Sequence, residues 1–488
     1  MQGSIVRSFL DSCQRAPGKA CLIFEGQCIS YAHVSDLVHR WAAGLHSWGL
    51  QRGDRVALFL ENSPDFLAAY LGTHLAGGIV VLVNTQYRQV ELRHILADSG
   101  ARLCVTDAAR LSELEQVAAD LPQLEAVVLV EAKDEGRRTN TSLRPSSFVL
   151  RPFDSFLADA GPFIPDLPDP ESIAVLGYTS GTTGQAKGAM LRHRNLLANS
   201  RAVTQAWRWT ADDVLLLTLP LFHVHGLAVG MHGTFVTGGA ADLRRRFDAA
   251  DVYDTLLRGT SGHTTDGEIG VTMFFGVPTM YTRLVAEAQR RAADVPPPIR
   301  LYVSGSAPLS VQTFEDFECR FGQRILERYG MTETIMNLTN PYDGERRPGT
   351  VGGPFPGQEA RIVDVRTRQP VQDQSVGEIQ VRGPHVFQGY WQRPDATAEA
   401  FDAEGWFNTG DLGWCSADGY YTITGRAKEL IITGGYNVYP REVEEVLATH
   451  PGVAEAAVLG LPDPEFGEQI VAAIVRHPGP CGDAVTAD

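Results

Sequence analysis

The sequence lacks three features that would define other classes of protein. Its seven cysteines include no CxxC pair and are odd in number, so neither a zinc site nor a disulfide framework is indicated. No stretch approaches the roughly 18 apolar residues of a membrane-spanning helix, and the first apolar stretch is too short for a secretory signal. The 42 Lys and Arg against 58 Asp and Glu exclude a general nucleic-acid or anionic membrane surface. We therefore expect a cytoplasmic protein whose partners are small molecules.

The residues that are present are typical of a large α/β protein. The 488 residues far exceed one core of about 150 residues, so at least two lobes are expected. From 55 to 84 a buried strand, a helix opened by Ser63 and Pro64, and a second strand follow one another as a βαβ unit. Similar strands recur at ARLCVTD, EAVVLVE, ESIAVLGYTS, DVLLLTLP, VTMFFGVP and IRLYVSG. Open, helix-covered α/β sheets are predicted.

The pattern changes after about residue 350. Short strands separated by Gly and Pro (ARIVDV, GEIQVRG, GWFNTGD, GYYTITG) predict a small antiparallel β unit. A last lobe begins near Gly425, with a strand LIITGG, a helix from Pro440 and two further strands. We predict a large domain at 1–424 and a small, mobile α+β domain at 425–488. The polar stretches 133–147 and 261–270 are predicted to be surface loops.

The densest motif is YTSGTTGQAKG at 178–188, directly after an apolar strand. Its glycines let backbone N–H groups approach phosphate oxygens, and its hydroxyls and lysine add donors and charge. It is not a Walker A loop, because Ala186 precedes the lysine and Gly188 follows it. An ordinary polar surface turn is the alternative. The predicted phosphate-binding residues are Thr179, Ser180, Gly181, Thr182, Thr183, Gly184 and Lys187.

Four further motifs follow in order: SGSAPL at 304–309, YGMTET at 329–334, NTGDLG at 408–413 and TGRAKELIITGGYN at 424–437. With the phosphate motif they resemble the adenylate-forming superfamily of acyl-CoA synthetases, luciferases and peptide-synthetase adenylation domains, along nearly the whole chain. The resemblance implies two half-reactions. A carboxylic acid and ATP give an acyl-adenylate and pyrophosphate, and the CoA thiolate then displaces AMP. It also implies that ATP and CoA are substrates and that Mg²⁺ is a cofactor.

The resemblance assigns roles to the residues of these motifs. It implies that the Tyr329 ring faces adenine, that the Thr332 hydroxyl lies near the α-phosphate, and that Glu333 binds Mg²⁺. Asp411 and Arg426 are implied to hold the ribose. Each residue also has an ordinary structural alternative in a turn or a core. The implied nucleotide contacts are completed by Gly305, Ser306, Ala307, Glu327, Gly330 and Met331, with Thr182 as a weaker Mg²⁺ ligand.

The start of the small lobe resembles the part of the family that moves. Lys428 resembles the hinge about which the small domain rotates between half-reactions. Gly434, Gly435 and Tyr436 resemble the loop that lines the channel for the pantetheine arm of CoA, where glycines permit close approach. A simple hairpin turn is the alternative for these glycines.

The segment at 271–283 is expected to select the acid, because the helix that follows its strand helps to wall the acyl pocket in the family. Arg283 offers a planar fork suited to a second carboxylate. Together with LPLFHVHGL and ERYGMTETIMN, this segment resembles malonyl-CoA synthetases, which implies malonate or methylmalonate as substrate. His223 and Ser304 are expected beside the acid, and the predicted catalytic residues are Lys187, Thr332, Glu333 and His223.

Two alternatives to the malonate prediction remain open. If Arg283 faces solvent, the substrate is a short-chain or aryl monocarboxylate; a nucleotide- or acyl-binding module without turnover is the second alternative. The family also continues into a PxTxxGK segment whose lysine stabilises the charge that develops during adenylation. This sequence has no lysine after Lys428, so we expect slow adenylation and a less affected thioester-forming step.

Overall fold

The structure is a computed structural model that describes residues 3–130, 148–158, 161, 163–179, 185–259, 270–291, 294–371, 374–433, 436–463, 466–476 and 479–486. The predicted loop 133–147 lies outside the described residues, as does 261–269 of the second predicted loop. The same holds for residues 180–184 of the phosphate motif and for Gly434 and Gly435.

Strands and helices alternate through most of the described chain. The strands are β1 (Ala20–Phe24), β2 (Gln27–Ser30), β3 (Arg55–Phe59), β4 (Ile79–Leu82), β5 (Leu103–Asp107), β6 (Ala126–Val130), β7 (Val149–Pro152), β8 (Ile173–Thr179), β9 (Lys187–Arg192), β10 (Val214–Leu217), β11 (Ala240–Leu243), β12 (Met273–Gly276), β13 (Leu301–Ser304), β14 (Leu326–Tyr329), β15 (Leu338–Thr339), β16 (Gly353–Pro354), β17 (Glu359–Val363), β18 (Gly377–Arg382), β19 (Phe407–Cys415), β20 (Tyr421–Arg426), β21 (Ile431–Thr433), β22 (Tyr436–Val438), β23 (Val453–Asp463) and β24 (Gly467–Arg476).

The helices cover the sheets and connect their strands. They are α1 (Ile5–Arg15), α2 (Tyr31–Trp48), α3 (Pro64–Leu75), α4 (Gln89–Ser99), α5 (Leu111–Val117), α6 (Phe153–Ala158), α7 (His193–Ala206), α8 (His232–Thr237), α9 (Ala249–Leu257), α10 (Pro278–Arg290), α11 (Val311–Phe321), α12 (Pro394–Ala400), α13 (Pro440–Ala448) and α14 (Pro480–Asp483), with a 3₁₀ turn at Ala118–Asp120 and a π-helix at His225–Met231. No helix in the described ranges is both long and apolar enough to cross a membrane.

Two large sheets form the main body of the fold. One has the order β7-β6-β5-β3-β4-β8-β9, with all neighbours parallel except β8 and β9. The other has the order β16-β15-β14-β13-β12-β10-β11-β1-β2, with a parallel centre from β14 to β1. Their strands are apolar in continuous runs because a parallel sheet is covered on both faces. The predicted α/β fold is confirmed.

The helices between the two large sheets carry the largest apolar core. Trp41 of α2 and Phe66 of α3 belong to the same buried cluster as Val105 of one sheet and Leu215 of the other. The start of α3 follows the sequence signal, because the Ser63 hydroxyl accepts a hydrogen bond of 3.1 Å from the Phe66 amide and Pro64 occupies the first turn. This core fixes the ends of the strands that surround the site.

Two antiparallel sheets complete the described fold. β17, β18, β19 and β20 form the small β unit that was predicted after residue 350. The last sheet has the order β22-β21-β24-β23, and α13 packs against β23. The domain boundary at 424 and the mobility of the last lobe remain predictions.

Candidate active site

Two adjoining cavities lie where β14 ends. The cleft cavity, of about 870 Å³, lies between β14, the β19–β20 hairpin and the face formed by α13 and β23. The central cavity, of about 620 Å³, is bounded by β8, β9, the start of the π-helix and the segment 330–336. The cavities share Arg328, Gly330 and Asp411. Ligands held in both would therefore meet at the end of this strand, as is common in open α/β sheets.

A tyrosine, a carboxylate and a guanidinium meet at the cleft cavity. Asp411 and Arg426 are opposite each other across the β19–β20 hairpin, with 3.3 Å between Arg426 Nε and Asp411 Oδ1. The Tyr329 hydroxyl donates to Asp411 Oδ2, and burial raises the pKa of both groups. The residues predicted to bind nucleotide that line this cavity are Ser306, Ala307, Glu327, Tyr329, Gly330, Met331, Asp411 and Arg426.

The central cavity contains the described part of the phosphate motif. Glu333, which is 4% exposed, accepts hydrogen bonds from the Thr179 hydroxyl at 3.2 Å and the Tyr390 hydroxyl at 3.0 Å, and burial raises its pKa. Lys187 Nζ lies 5.4 Å from the centroid of the Tyr390 ring, and Thr332 lines the same cavity. The remaining residues of the motif, Ser180, Gly181, Thr182, Thr183 and Gly184, lie outside the described residues.

This donor set fits a magnesium ion, which Glu333 would hold together with substrate phosphates. Mg²⁺ prefers oxygen ligands and is commonly held by one or two carboxylates together with substrate phosphate oxygens. Glu333 supplies such a carboxylate, whose burial disfavours an unpaired negative charge. Across the described ranges there is no cluster of three or more His, Cys, Asp or Glu side chains that could hold a metal by itself. The ion would therefore depend on phosphate oxygens for most of its ligands.

A strained turn after β14 places Glu333 at the cavity. Ile335 has a φ of +64°, which is rare for a β-branched residue, and its amide donates to the Met331 carbonyl at 2.6 Å. A Cβ atom at Gly330 would lie 2.0 Å from the Ile335 carbonyl oxygen, so this position requires glycine. The turn therefore explains why the motif combines a glycine with the acidic residue three positions later.

Two histidines and a serine also line the central cavity. His223 opens onto the cavity, and the surrounding protein atoms, followed by the charge of Arg328, lower its pKa to about 4. His225 is buried, its Nδ1 lies 3.1 Å from the Ser306 hydroxyl, and burial holds its pKa well below the usual value. Both imidazoles are thus neutral at neutral pH. Ser304 is buried in β13 and lines neither cavity.

Arg328 is a buried cation that the sequence analysis did not single out. It is 2% exposed and lines both cavities, and its Nη2 donates to the Ser306 hydroxyl at 3.5 Å. Within the described ranges its Nε and Nη1 atoms have no hydrogen-bond partner. Burial lowers its pKa to about 9, so the guanidinium stays charged at neutral pH. The signal that could have revealed it is an arginine inside the buried strand LERY.

Arg283, in contrast, does not reach either cavity. The buried face of α10 is formed by Tyr281, Leu284, Val285 and Ala288, which recur at helical spacing. Arg283 is two residues from Tyr281, so it points to the other side of the helix, where it is exposed. This placement does not support the predicted contact between Arg283 and the acid, which remains a prediction.

The structure also places the residues expected to serve CoA and the hinge. Lys428 lines the central cavity beside Glu429 and Arg426. Tyr436 is exposed, and Gly434 and Gly435 lie outside the described residues. Gly305 is not a lining residue of either cavity, although a Cβ atom there would lie 2.5 Å from Arg328 Cζ. Gly305 therefore makes room for the guanidinium.

Comparison with known proteins identifies the class to which this site belongs. Residues 9–391 match the family described as AMP-binding enzyme, and residues 442–488 match the AMP-binding enzyme C-terminal domain. The chain belongs to this family. It is an ATP-dependent acyl-CoA synthetase of the AMP-forming type, which joins a carboxylic acid to CoA through an acyl-adenylate and uses Mg²⁺.

Its relatives differ in the acid for which they are named. A sulfoacetate–CoA ligase of Cupriavidus necator is 39% identical, over 89% of this chain and 80% of the relative. A malonate–CoA ligase of Arabidopsis thaliana is 35% identical, over 88% and 69%. The crystal structure of ATP-bound MatB from Rhodopseudomonas palustris has a TM-score of 0.85 and 35% identity, over 100% of this chain and 90% of that one. The predicted family and its cofactors are confirmed, whereas the acid is not decided.

If Asp411 holds the ribose, as the family resemblance implies, its replacement by asparagine is expected to weaken AMP binding about tenfold, because a charged acceptor for the ribose hydroxyls would become neutral. Calorimetric titration with AMP measures the change. The matched control is Asp418→Asn, since Asp418 is exposed in the turn between β19 and β20, where its partners are Arg347 and Ser416. Equal affinities of the wild type and the Asp411 variant would remove Asp411 from the nucleotide site.

Proposed function

We propose that this synthetase activates a short carboxylic acid that carries a second anionic group, with malonate or methylmalonate as the substrate. The observation that carries the proposal is the buried guanidinium of Arg328, which has two unpartnered nitrogens among the described residues and borders the central cavity. A second carboxylate would accept from this planar fork in a bidentate arrangement. One end of the acid would then be fixed while the other faces the phosphate-binding residues.

The same guanidinium disfavours a monocarboxylate. An alkyl or aryl group in the central cavity would exclude water from Arg328 and leave its Nε and Nη1 without an acceptor. This is costly for a buried cation even with the Ser306 hydroxyl and the charge of Glu327 nearby. His223 and His225 add no second positive charge beside Arg328, because both are neutral at neutral pH, and neither supplies a negative charge. The exposed position of Arg283 is the condition stated above for a short-chain or aryl acid. We nevertheless propose a diacid, because Arg328 supplies the buried cation that Arg283 does not.

Sulfoacetate is a second candidate, which is supported by the relative from Cupriavidus necator. It has the same length as malonate and carries a sulfonate in place of the second carboxylate. A sulfonate offers three oxygens to the guanidinium, whereas a carboxylate offers two. Both acids meet the requirement that Arg328 imposes, and only a direct comparison separates them.

The proposed roles of the remaining residues follow from their positions. Thr179 and Lys187 hold the phosphates, Glu333 holds Mg²⁺, and Asp411 and Arg426 hold the ribose. Catalysis is then mainly positioning and charge stabilisation, and it requires no protein nucleophile. Thr332 and His223 also line the central cavity.

The proposal predicts a clear order in a panel of acids. Malonate, methylmalonate or sulfoacetate is expected to exceed butyrate and benzoate by about 100-fold or more in kcat/KM, because a site with buried donors rejects analogues that lack the acceptor. Thioester formation with CoA measures the order, and calorimetric binding of each acid provides a readout that does not depend on turnover. Equal use of butyrate or benzoate would overturn the proposal. Failure to form thioester even from supplied malonyl-adenylate would favour a binding module.

A further inference from the structure

Helix α4 contacts both strands of the β8–β9 hairpin that carries Thr179 and Lys187. His94 and Asp98 are four residues apart on α4 and therefore lie on one face of the helix. Asp98 Oδ2 accepts a hydrogen bond of 2.8 Å from the hydroxyl of Tyr178, the residue before Thr179. His94 Nε2 lies 2.7 Å from the carbonyl oxygen of Ala186, the residue before Lys187. One helix face thus contacts Tyr178 near the end of β8 and Ala186 directly before β9.

The two contacts are well defined chemically. A carbonyl oxygen can only accept, so His94 must carry its proton on Nε2. The Asp98 side chain is 9% exposed and also accepts from Arg393 at 2.7 Å, which fixes the carboxylate toward Tyr178. Burial, followed by the hydrogen bond to Asp98, raises the pKa of Tyr178 and keeps its hydroxyl a donor.

These contacts determine the positions of the two phosphate-binding side chains. Thr179 and Lys187 are paired across β8 and β9, and Tyr178 is paired with Gly188. A Cβ atom at Gly188 would lie 3.1 Å from Tyr178 Cζ, so the tyrosine ring packs closely on the opposite strand. A shift of either anchor would therefore move Thr179 away from Glu333.

We propose that His94 and Asp98 are positioning residues for ATP, which hold the β8–β9 hairpin so that Thr179 and Lys187 meet the β- and γ-phosphates. Neither residue lines either cavity, so both act through the hairpin. The inference does not depend on which acid is activated. It does rest on the proposed role of Thr179 and Lys187 at the phosphates.

The test compares ATP with AMP, because AMP lacks the phosphates that the hairpin would hold. His94→Leu and Tyr178→Phe are each expected to weaken binding of ATP with Mg²⁺ about fivefold, the effect of one hydrogen bond. Affinity for AMP and the rate of thioester formation from supplied acyl-adenylate should change less than about twofold. His94→Gln retains a side-chain N–H and should restore most of the ATP affinity. Calorimetry and a thioester assay measure these quantities.

Two variants make the outcome decisive. His33→Leu removes an exposed histidine of α2 and should leave ATP affinity unchanged. Lys187→Ala tests the phosphate role on its own.

A loss of ATP affinity in Lys187→Ala without one in His94→Leu and Tyr178→Phe would overturn the positioning role alone. No loss in any of the three would overturn both. An equal loss of ATP and AMP affinity would show a merely structural role. If His94→Leu fails to fold, Tyr178→Phe still decides, because it removes only one oxygen atom.

Discussion

Replacement of Arg328 by methionine is expected to lower kcat/KM for malonate about 100-fold or more, because under the proposed function the second carboxylate loses its buried, charged partner. Methionine has a similar length and no charge, so the surrounding β14 and π-helix keep their packing. The kcat/KM for butyrate should fall far less, and it should rise if the charge of Arg328 is what excludes butyrate. The acid panel with supplied ATP, Mg²⁺ and CoA gives the ratio of malonate to butyrate, which is the quantity that Arg328 controls.

Two further variants separate this effect from general damage. Arg283→Met removes the same charge from the exposed side of α10 and should leave the ratio of malonate to butyrate unchanged. Gly305→Ala should lower malonate use about tenfold, because its Cβ would lie 2.5 Å from Arg328 Cζ and displace the guanidinium. A selective loss of malonate use in Arg283→Met, with no such loss in Arg328→Met, would show that Arg283 anchors the second carboxylate and that Arg328 does not.

The positions of Arg283 and Arg328 show where the sequence was informative and where it was not. The resemblance around residue 283 suggested a role, but helical periodicity already placed Arg283 off the apolar face that starts at Tyr281. Arg328 lies in a buried strand, where a charged residue is costly unless it is paired or functional. Its position between Leu326 and Tyr329 was therefore the stronger physical signal.

Local chemistry could be predicted from the sequence, whereas distant pairing could not. The helix that begins at Pro64 and the strand after it follow from capping and periodicity. The contact between Tyr329 and Asp411 joins residues 82 positions apart, and the contact between Asp98 and Arg393 joins two different parts of the chain. Such contacts depend on how the sheets and the β unit pack, which no local pattern specifies.

A cluster of three histidines in the core has no counterpart in the sequence analysis. His74 of α3, His193 of α7 and His232 of α8 are buried, and the Tyr70 hydroxyl lies 2.9 Å from His232 Nε2. The rings of His74 and His193 are 4.8 Å apart, and His74 Nε2 lies 3.0 Å from the Ala174 carbonyl oxygen. Burial lowers the pKa of His74 to about 4 and that of His232 to about 3, and it holds the pKa of His193 well below its usual value.

These shifts make the stability of the large lobe strongly dependent on pH. Each histidine has a lower pKa in the folded state than the value of 6.5 expected when it is unfolded. Their contribution to stability is therefore complete above pH 6.5 and is lost as the pH falls toward 4, because the unfolded chain takes up protons that the folded chain cannot. Each histidine adds a slope of about 1.4 kcal/mol per pH unit to the free energy of unfolding. As the pH falls from 6.5 to 4, His74 alone therefore lowers the free energy of unfolding by about 3 kcal/mol.

The variant His232→Gln is expected to reduce the pH slope of stability by about 1.4 kcal/mol per pH unit between pH 6 and pH 5, since glutamine does not titrate. Its amide can still bond with the Tyr70 hydroxyl, so the fold should be retained. The free energy of the urea transition of the large lobe at each pH gives the slope. His223, His225 and His385 also have lowered pKa values and contribute to the total. The difference in pH slope between His232→Gln and the exposed control His33→Gln therefore isolates the contribution of His232. Identical slopes in these two variants would mean that His232 is not neutral in the folded core.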